Sequence, residues 1–166
     1  MIVVREATPR DGEGIRDVDI SSTATLREVY QLNQTALTNR PKISAKRFQL
    51  VALIDNRVVG ISQYYLRDDR VHIMGLGVHI DFRKRGVAKA LFAYIEDIGR
   101  SNKARCLSLY TVKETGNVDI FMKMGFKTIS EQCSELFGSD KYESLIDVYM
   151  EKPLSASNNL SHLDAI

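Results

Sequence analysis

The chain has no tryptophan, two cysteines and three prolines in 166 residues, and no long apolar run. Each shortage excludes something. The longest uncharged apolar stretch, Leu50 to Ile54, is far short of the ~20 residues a membrane helix needs, so no membrane partner is expected. Ile2, Val3 and Val4 give way at once to Arg5 and Glu6 where a secretory signal would stay apolar, which places the chain in the cytoplasm as an expectation. Cys106 and Cys133 allow one disulfide, but a reducing compartment disfavours it, and both read as small strand residues. The histidines, His72, His79 and His162, form no close pair with each other or with a cysteine, so no zinc spacing can be drawn and no metal is expected.

What is present is globular. Hydrophobic residues make up 44% and charged residues 27%, which excludes disorder over most of the length. A chain of this size suits one domain that buries roughly 70% of its unfolded surface. The net charge of +2 points by itself neither to nucleic acid nor to a membrane surface. It conceals a local excess: from Arg83 to Arg105, seven Lys or Arg residues stand against Glu96 and Asp97, a balance of +5, which leaves −3 for the remainder. The basic residues cluster at one turn without interleaved aromatics, so no nucleic-acid partner is expected.

Read for periodicity, Ile2 to Glu6 is a short strand. Thr8, Pro9 and Asp11 then supply an N-cap, a proline at the first helical position and an acidic first turn. The helix they start carries Ile15, Val18 and Ile20, and a second helical stretch with Leu26, Val29, Tyr30 and Leu32 runs to a break at Pro41. Phe48 to Ile54, Val58 to Leu66 and Val71 to Ile80 read as a three-stranded meander turned at Asp55-Asn56 and Asp68-Asp69. Val87, Leu91, Tyr94, Ile95 and Ile98 mark the strongest helix, ended by Gly99. Arg105 to Thr111 is a strand, Thr115 caps a short helix stopped by Gly125, and Phe126 to Cys133 and Leu145 to Glu151 complete the set. The expected fold is α/β: one domain over 1–153, a mixed, mainly antiparallel sheet flanked by helices, and a flexible C-terminal tail over 154–166.

The segment that carries chemistry is Met74 to Ala88, a strand running into a basic, glycine-bearing turn that opens a helix. A helix N-terminus offers unpaired N–H groups and about half a positive charge, which suits a phosphate. Gly86 and Ala88 are small enough to let a ligand reach those donors, and Arg83, Lys84, Arg85 and Lys89 add charge around them. A nucleotide P-loop is excluded, because no Gly-Lys-Ser/Thr occurs. A dinucleotide fingerprint is excluded too: Gly75-x-Gly77 lacks the third glycine and an immediately following helix.

These residues resemble the GNAT family of N-acetyltransferases. The family's Gln/Arg-x-x-Gly-x-Gly/Ala motif is matched by Arg83-Lys84-Arg85-Gly86-Val87-Ala88, with Leu76-x-Val78 before it and Asn117-x-x-x-Phe121-x-Lys123-x-Gly125-Phe126 after it. The resemblance implies acetyl-coenzyme A as cosubstrate, with its pyrophosphate in the turn from Arg83 to Lys89. It also implies a pantetheine arm that lies beside the strand through Leu76 and Val78 like an added strand, and that approaches Asn117 and Phe121. The backbone N–H at Val78 takes the place of the family's oxyanion donor. His72 falls where one branch of the family carries a glutamate base, and an imidazole of ordinary pKa near ~6.5 suits that task.

For each of these residues a plainer reading stands beside the implied one. Arg83 and Lys84 are equally solvated charges, Asn117 a helix-start residue, Phe121 core, and His72 a strand residue paired with its neighbours. Phe121 also departs from the family, many of whose members have an acidic tyrosine there; Tyr64, Tyr65, Tyr110 and Tyr142 are the candidate substitutes. The acceptor side is assigned to Ser21–Arg40 and Ser134–Ser144, where Glu28, Glu135, Asp140 and Glu143 favour a cationic amine and Phe137 and Tyr142 give some apolar lining. The function implied is acetyl transfer to a primary amine in a ternary complex. The competing reading is a regulatory module that binds acetyl-coenzyme A with little turnover. Monomer and homodimer both remain open.

Overall fold

The computed structural model describes residues 1–39 and 43–155. Along the chain, β1 (Val3–Glu6) leads through a 3-10 turn (Pro9–Asp11) into α1 (Gly12–Arg27), and β2 (Gln31–Leu32) precedes α2 (Gln34–Asn39). The strands β3 (Phe48–Ile54), β4 (Arg57–Arg67) and β5 (Arg70–Val78) follow one another directly. After them come α3 (Val87–Ser101), β6 (Cys106–Val112), α4 (Asn117–Lys123), β7 (Lys127–Cys133), β8 (Phe137–Gly138) and β9 (Ile146–Pro153).

Two tight hairpins organise the centre. Asp55 and Asn56, which join β3 to β4, both take left-handed conformations with φ of 48° and 64°, as a two-residue type I′ turn requires and as Asp and Asn tolerate. Asp68, at φ 52°, begins the turn between β4 and β5. The seven long strands form one sheet in the order β1-β3-β4-β5-β6-β9-β7, and β2 pairs with β8 in a separate ribbon. Among the described residues only β5 and β6 run parallel, because α3 carries the chain back to its starting end; the other pairs are antiparallel. This is the mixed, mainly antiparallel α/β sheet expected from the sequence.

Helices cover both faces. On one, Val87, Leu91, Phe92 and Ile95 of α3 are buried against Leu50, Val59, Val71 and Leu107; each fully buried aliphatic side chain there contributes about 1.5–3 kcal/mol. On the other, Val18 of α1 meets Val51, Leu53 and Val58. α1 reaches the sheet closely because of glycine: a Cβ on Gly77 would stand 2.5 Å from Ser22 Oγ. Its entry is fixed by Asp11, whose Oδ2 accepts from the Thr8 N–H at 2.7 Å while the Arg5 guanidinium grips both oxygens at 2.7 and 3.0 Å. The Arg5 contact, with those from Thr8, holds the Asp11 carboxyl well below the usual carboxylate range.

Four expectations need correction. Gly99 does not end α3: it is buried within the helix, which runs on to Ser101. Ile20 is 61% exposed and belongs to no core face. The stretch with Leu26, Val29, Tyr30 and Leu32 is not a second helix: Leu26 lies in the last turn of α1, and Leu32 pairs with Phe137 in the β2–β8 ribbon. The next helix starts later, where Asn33 Oδ1 accepts from the Ala36 N–H at 2.9 Å. Pro41 lies outside the described residues. At the other end, Leu154 is held, with its N–H on the Arg105 carbonyl at 2.9 Å and its side chain over Gly99. Of the expected tail, residues 156–166 lie outside the described residues.

Candidate active site

β5 and β6 pair only from Arg70↔Cys106 to Ile73↔Leu109. At that level β5 carries an extra residue. Ile73 faces Tyr64 and Gly75 faces Gln63, so Met74 is a bulge against β4, and a bulge bends a strand and raises its twist. Ser62 Oγ donates to the Gly75 carbonyl at 2.7 Å and so satisfies the kinked backbone. Beyond this point the two strands no longer bond.

The consequence for the backbone follows from the ladder. The His79 N–H donates to the Val59 carbonyl at 2.9 Å, so Val78 and Gly60 are a non-hydrogen-bonded pair. The N–H and C=O of Val78, and by alternation those of Leu76, therefore point to the edge that β6 has left. A cavity of about 1050 Å³ occupies the gap. Its wall includes Leu76 on β5, Tyr110 and Val112 on β6, and Asn117 and Phe121 at α4. It also includes Phe92 from the α3 side and Leu26 from the α1 side, so the cavity passes through the sheet.

After β5 the chain makes a 3-10 turn over Ile80–Phe82 and reaches α3 through two left-handed residues, Lys84 at φ 61° and Gly86 at φ 85°. Gly86 is the N-cap and has no side chain to offer, so the first-turn N–H groups of Val87, Ala88 and Lys89 are left for a ligand. Val87 itself is buried: its Cγ1 would be 2.5 Å from a Cβ on Gly60, which seats the helix start on β4. Arg83, Lys84, Arg85 and Lys89 are exposed around this end, with the Arg85 guanidinium 5.1 Å from the Phe82 ring centre. The basic count of Arg83–Arg105 thus divides. Arg100, in the last turn of α3, and Arg105, beyond it, are in ion pairs, Arg100 with Glu96 at 3.3 Å and Arg105 with Asp69 at 2.8 Å.

His72 does face the cavity. Its Nδ1 is 2.8 Å from Ser108 Oγ, and its ring lies 5.0 Å from Tyr65 and 5.6 Å from Tyr110. Burial chiefly, then the charges of Arg67 and Arg70, push its pKa down to about 4. At neutral pH it is a neutral imidazole and a weak base. Asn117 and Phe121 are each partly buried, and the Phe121 ring packs edge-on against Phe92 and Phe126 and also lines the cavity. Of the four tyrosines, Tyr65 and Tyr110 line the cavity, Tyr64 is buried in the α3-side core and Tyr142 lies outside.

The segments assigned to the acceptor reach the cavity only in part. Thr23, Tyr30, Leu136 and Phe137 line the cavity, but Glu28, Glu135, Asp140 and Glu143 are exposed and do not. The carboxylates that do line it are Asp19 and Asp147, neither of which stands out in the sequence. The Met74 bulge was also missed, though the apolar phase of β5 slips there, from Val71 and Ile73 to Leu76 and Val78. Among the described residues, no group of three or more His, Cys, Asp or Glu residues is placed to hold a metal ion. Nor is any helix among them long and apolar enough to cross a membrane.

Solved structures share this frame. The ribosomal-protein-S18-alanine N-acetyltransferase from Escherichia coli superposes with a TM-score of 0.69 at 13% identity, over 93% of this chain and 95% of that one. The PaiA N-acetyltransferase from Thermoplasma acidophilum, solved in complex with coenzyme A, gives 0.69 at 17% identity over 92% and 99%. Nourseothricin acetyltransferase gives 0.67 at 19% identity over 93% and 99%. At such identities the likeness is one of fold. No curated protein matches the sequence. The family model described as "Acetyltransferase (GNAT) family" matches residues 19–126, a span that contains the bulged strand, the basic turn and α4, and on that match the chain belongs to the GNAT acetyltransferase family.

Proposed function

We propose that the chain is an acetyl-coenzyme A-dependent N-acetyltransferase that moves an acetyl group to a primary amine by direct transfer in a ternary complex. The observation that carries this reading is the open edge of β5. Its free N–H and C=O groups at Leu76 and Val78 lie along the edge that β6 leaves, and Leu76 there lines a cavity whose wall takes residues from both sides of the sheet, so that a cosubstrate and an acceptor have separate approaches to one point.

The residues present fit the cosubstrate. The left-handed Gly86 and the free N–H groups of Val87, Ala88 and Lys89 suit a pyrophosphate, with Arg83, Lys84 and Arg85 as surrounding charge. Leu76 and Val78 can bond an amide-bearing arm as an added strand would, and Asn117 and Phe121 close the cavity from α4. When bound, acetyl-coenzyme A supplies an acyl carbon activated as a thioester. The chain's part is to position and to stabilise. The Val78 N–H donates towards the carbonyl oxygen, where charge develops. Phe121 gives an apolar wall and no proton, which a thiol of pKa about 8.5 tolerates as a leaving group. His72, with its pKa pushed down to about 4, is too weak a base to hold an ammonium's proton near pH 7. It serves as a positioning residue that fixes Ser108, and the proton leaves through solvent.

The experiment is thiol release from acetyl-coenzyme A against a panel of amines. Release above background with at least one amine is expected. If none raises it while coenzyme A still binds, the enzyme reading fails, and the non-catalytic module, favoured by Phe121 and the weak base at His72, replaces it.

A further inference from the structure

Asp147 lies on β9 opposite Val112 of β6 and Gln132 of β7, half-buried, with its side chain in the cavity wall. Other carboxylates of the same sheet have cations: Glu151 has Arg105 at 3.4 Å and Arg70 at 3.8 Å, and Glu131 has Lys113 at 3.2 Å. Among the described residues, no Lys, Arg or His nitrogen comes within 4.0 Å of Asp147. The charged group acting on it is Glu114, of like sign. Burial first, and Glu114 with it, raise the Asp147 carboxyl above its ordinary value, against a lowering by the Ser134 side chain. A half-buried carboxylate with no counter-charge is costly unless a ligand supplies one.

A second observation points to the same kind of ligand. Tyr30 and Phe137, brought together by the β2–β8 ribbon, meet edge to face at 4.8 Å, and both line this cavity. Tyr30 is near enough to Asp147 for the carboxylate's charge to raise its hydroxyl pKa, after burial. Two aromatic rings and an uncompensated carboxylate around one space attract a cation. Asp147 is on β9, which β6 separates from β5, two strand spacings or about 10 Å from the strand that carries the Val78 N–H. The space is therefore distinct from the point of transfer.

We infer that the acceptor carries a second, protonated cationic group besides the amine that is acetylated, and that Asp147 with Tyr30 and Phe137 binds it. The inference rests on the acetyltransferase reading and names the acceptor class. The test compares cadaverine, which has an amine at each end, with pentylamine, which has one. Titration calorimetry on the coenzyme A-loaded protein should show cadaverine bound about tenfold or more tightly than pentylamine. Asp147→Asn should bring cadaverine down to the level of pentylamine, and Asp147→Glu should restore part of the difference. In steady state the loss in Asp147→Asn should appear in KM for cadaverine and not in kcat. An unchanged thermal shift with coenzyme A shows that the variants are folded. Equal binding of the two amines by the parent overturns the inference. So does a preference that survives Asp147→Asn, or a fall in kcat for both amines. Preferential binding without thiol release defeats the acetyltransferase reading and leaves the cation site, whereas turnover without preference does the reverse.

Discussion

The environment of His72 has a measurable consequence for stability. Its imidazole is enclosed by Tyr65, Tyr110 and Ser108 and lies near two guanidinium groups, and its pKa falls from 6.5 to about 4. Between those values the unfolded chain binds a proton that the folded chain refuses, so stability is lost as the pH falls through this window and His72 has no effect above it. At the lower end the loss reaches about 3 kcal/mol, a large part of the 5–15 kcal/mol typical of a domain, about which it must be weighed. Urea unfolding of the parent and of His72→Gln across pH 4 to 8 isolates the effect. Carboxylates such as Asp11, whose contribution is lost only below the ordinary carboxylate range, act on both proteins and cancel in the difference. The parent should lose about 3 kcal/mol relative to the variant on going from neutral pH to pH 4. Parallel curves, or an imidazole resonance that titrates near 6.5, would refute the argument and return His72 to the role of a base.

Deleting Met74 should leave Ile73 opposite Tyr64 and Gly75 opposite Gln63, remove the bulge, and let β5 continue its pairing with β6. The product should stay folded by circular dichroism and lose its thermal shift with coenzyme A; a retained shift would separate cosubstrate binding from the open edge. A Cβ at Gly86 meets nothing nearer than 4.0 Å, so Gly86→Ala bears only the cost of φ 85°, about 1–2 kcal/mol, and weaker coenzyme A binding, read by unfolding and calorimetry. Cys106 is fully buried with its thiol pushed up to about 11, while Cys133 is exposed. A thiol reagent should therefore label one cysteine in the native protein and both in denaturant, and two fast reactions would mean that β6 opens readily.

The half of the candidate site proposed for the cosubstrate was legible because it is local. Leu76, Val78, the turn from Arg83 and the start of α3 are consecutive, and glycine, basic residues and the change from strand to helix periodicity mark them directly. Charge counting over the same stretch misled, because it ignored geometry: α3 spans 15 residues, about 22 Å, and carries Arg100 and Arg105 away from the turn to partners of their own. The failed second helix has a different cause. Val29, Tyr30 and Leu32 fit a helical spacing, but Leu32 gains a partner in Phe137, over a hundred residues later, and tertiary pairing overrides local propensity.

The half proposed for the acceptor was not legible, and β9 shows why. Val148 and Met150 are buried against the α3-side core, so Asp147, Tyr149 and Glu151 alternate onto the opposite face. A strand that alternates in this way reads as one buried face and one solvated face, and an aspartate on the second attracts no notice. Whether that face meets water depends on elements with no local connection to β9. Here α1 crosses the sheet against Gly77, and the ribbon of Gln31–Leu32 with Phe137–Gly138 brings Tyr30 and Phe137 over the same space. Glu151 finds Arg70 and Arg105, while Asp147, four residues away on the same face, is enclosed without a cation among the described residues. The same alternation yields a structural ion pair at one position and an unmatched charge in a cavity at the other. Only the three-dimensional arrangement of α1 and the ribbon separates the two.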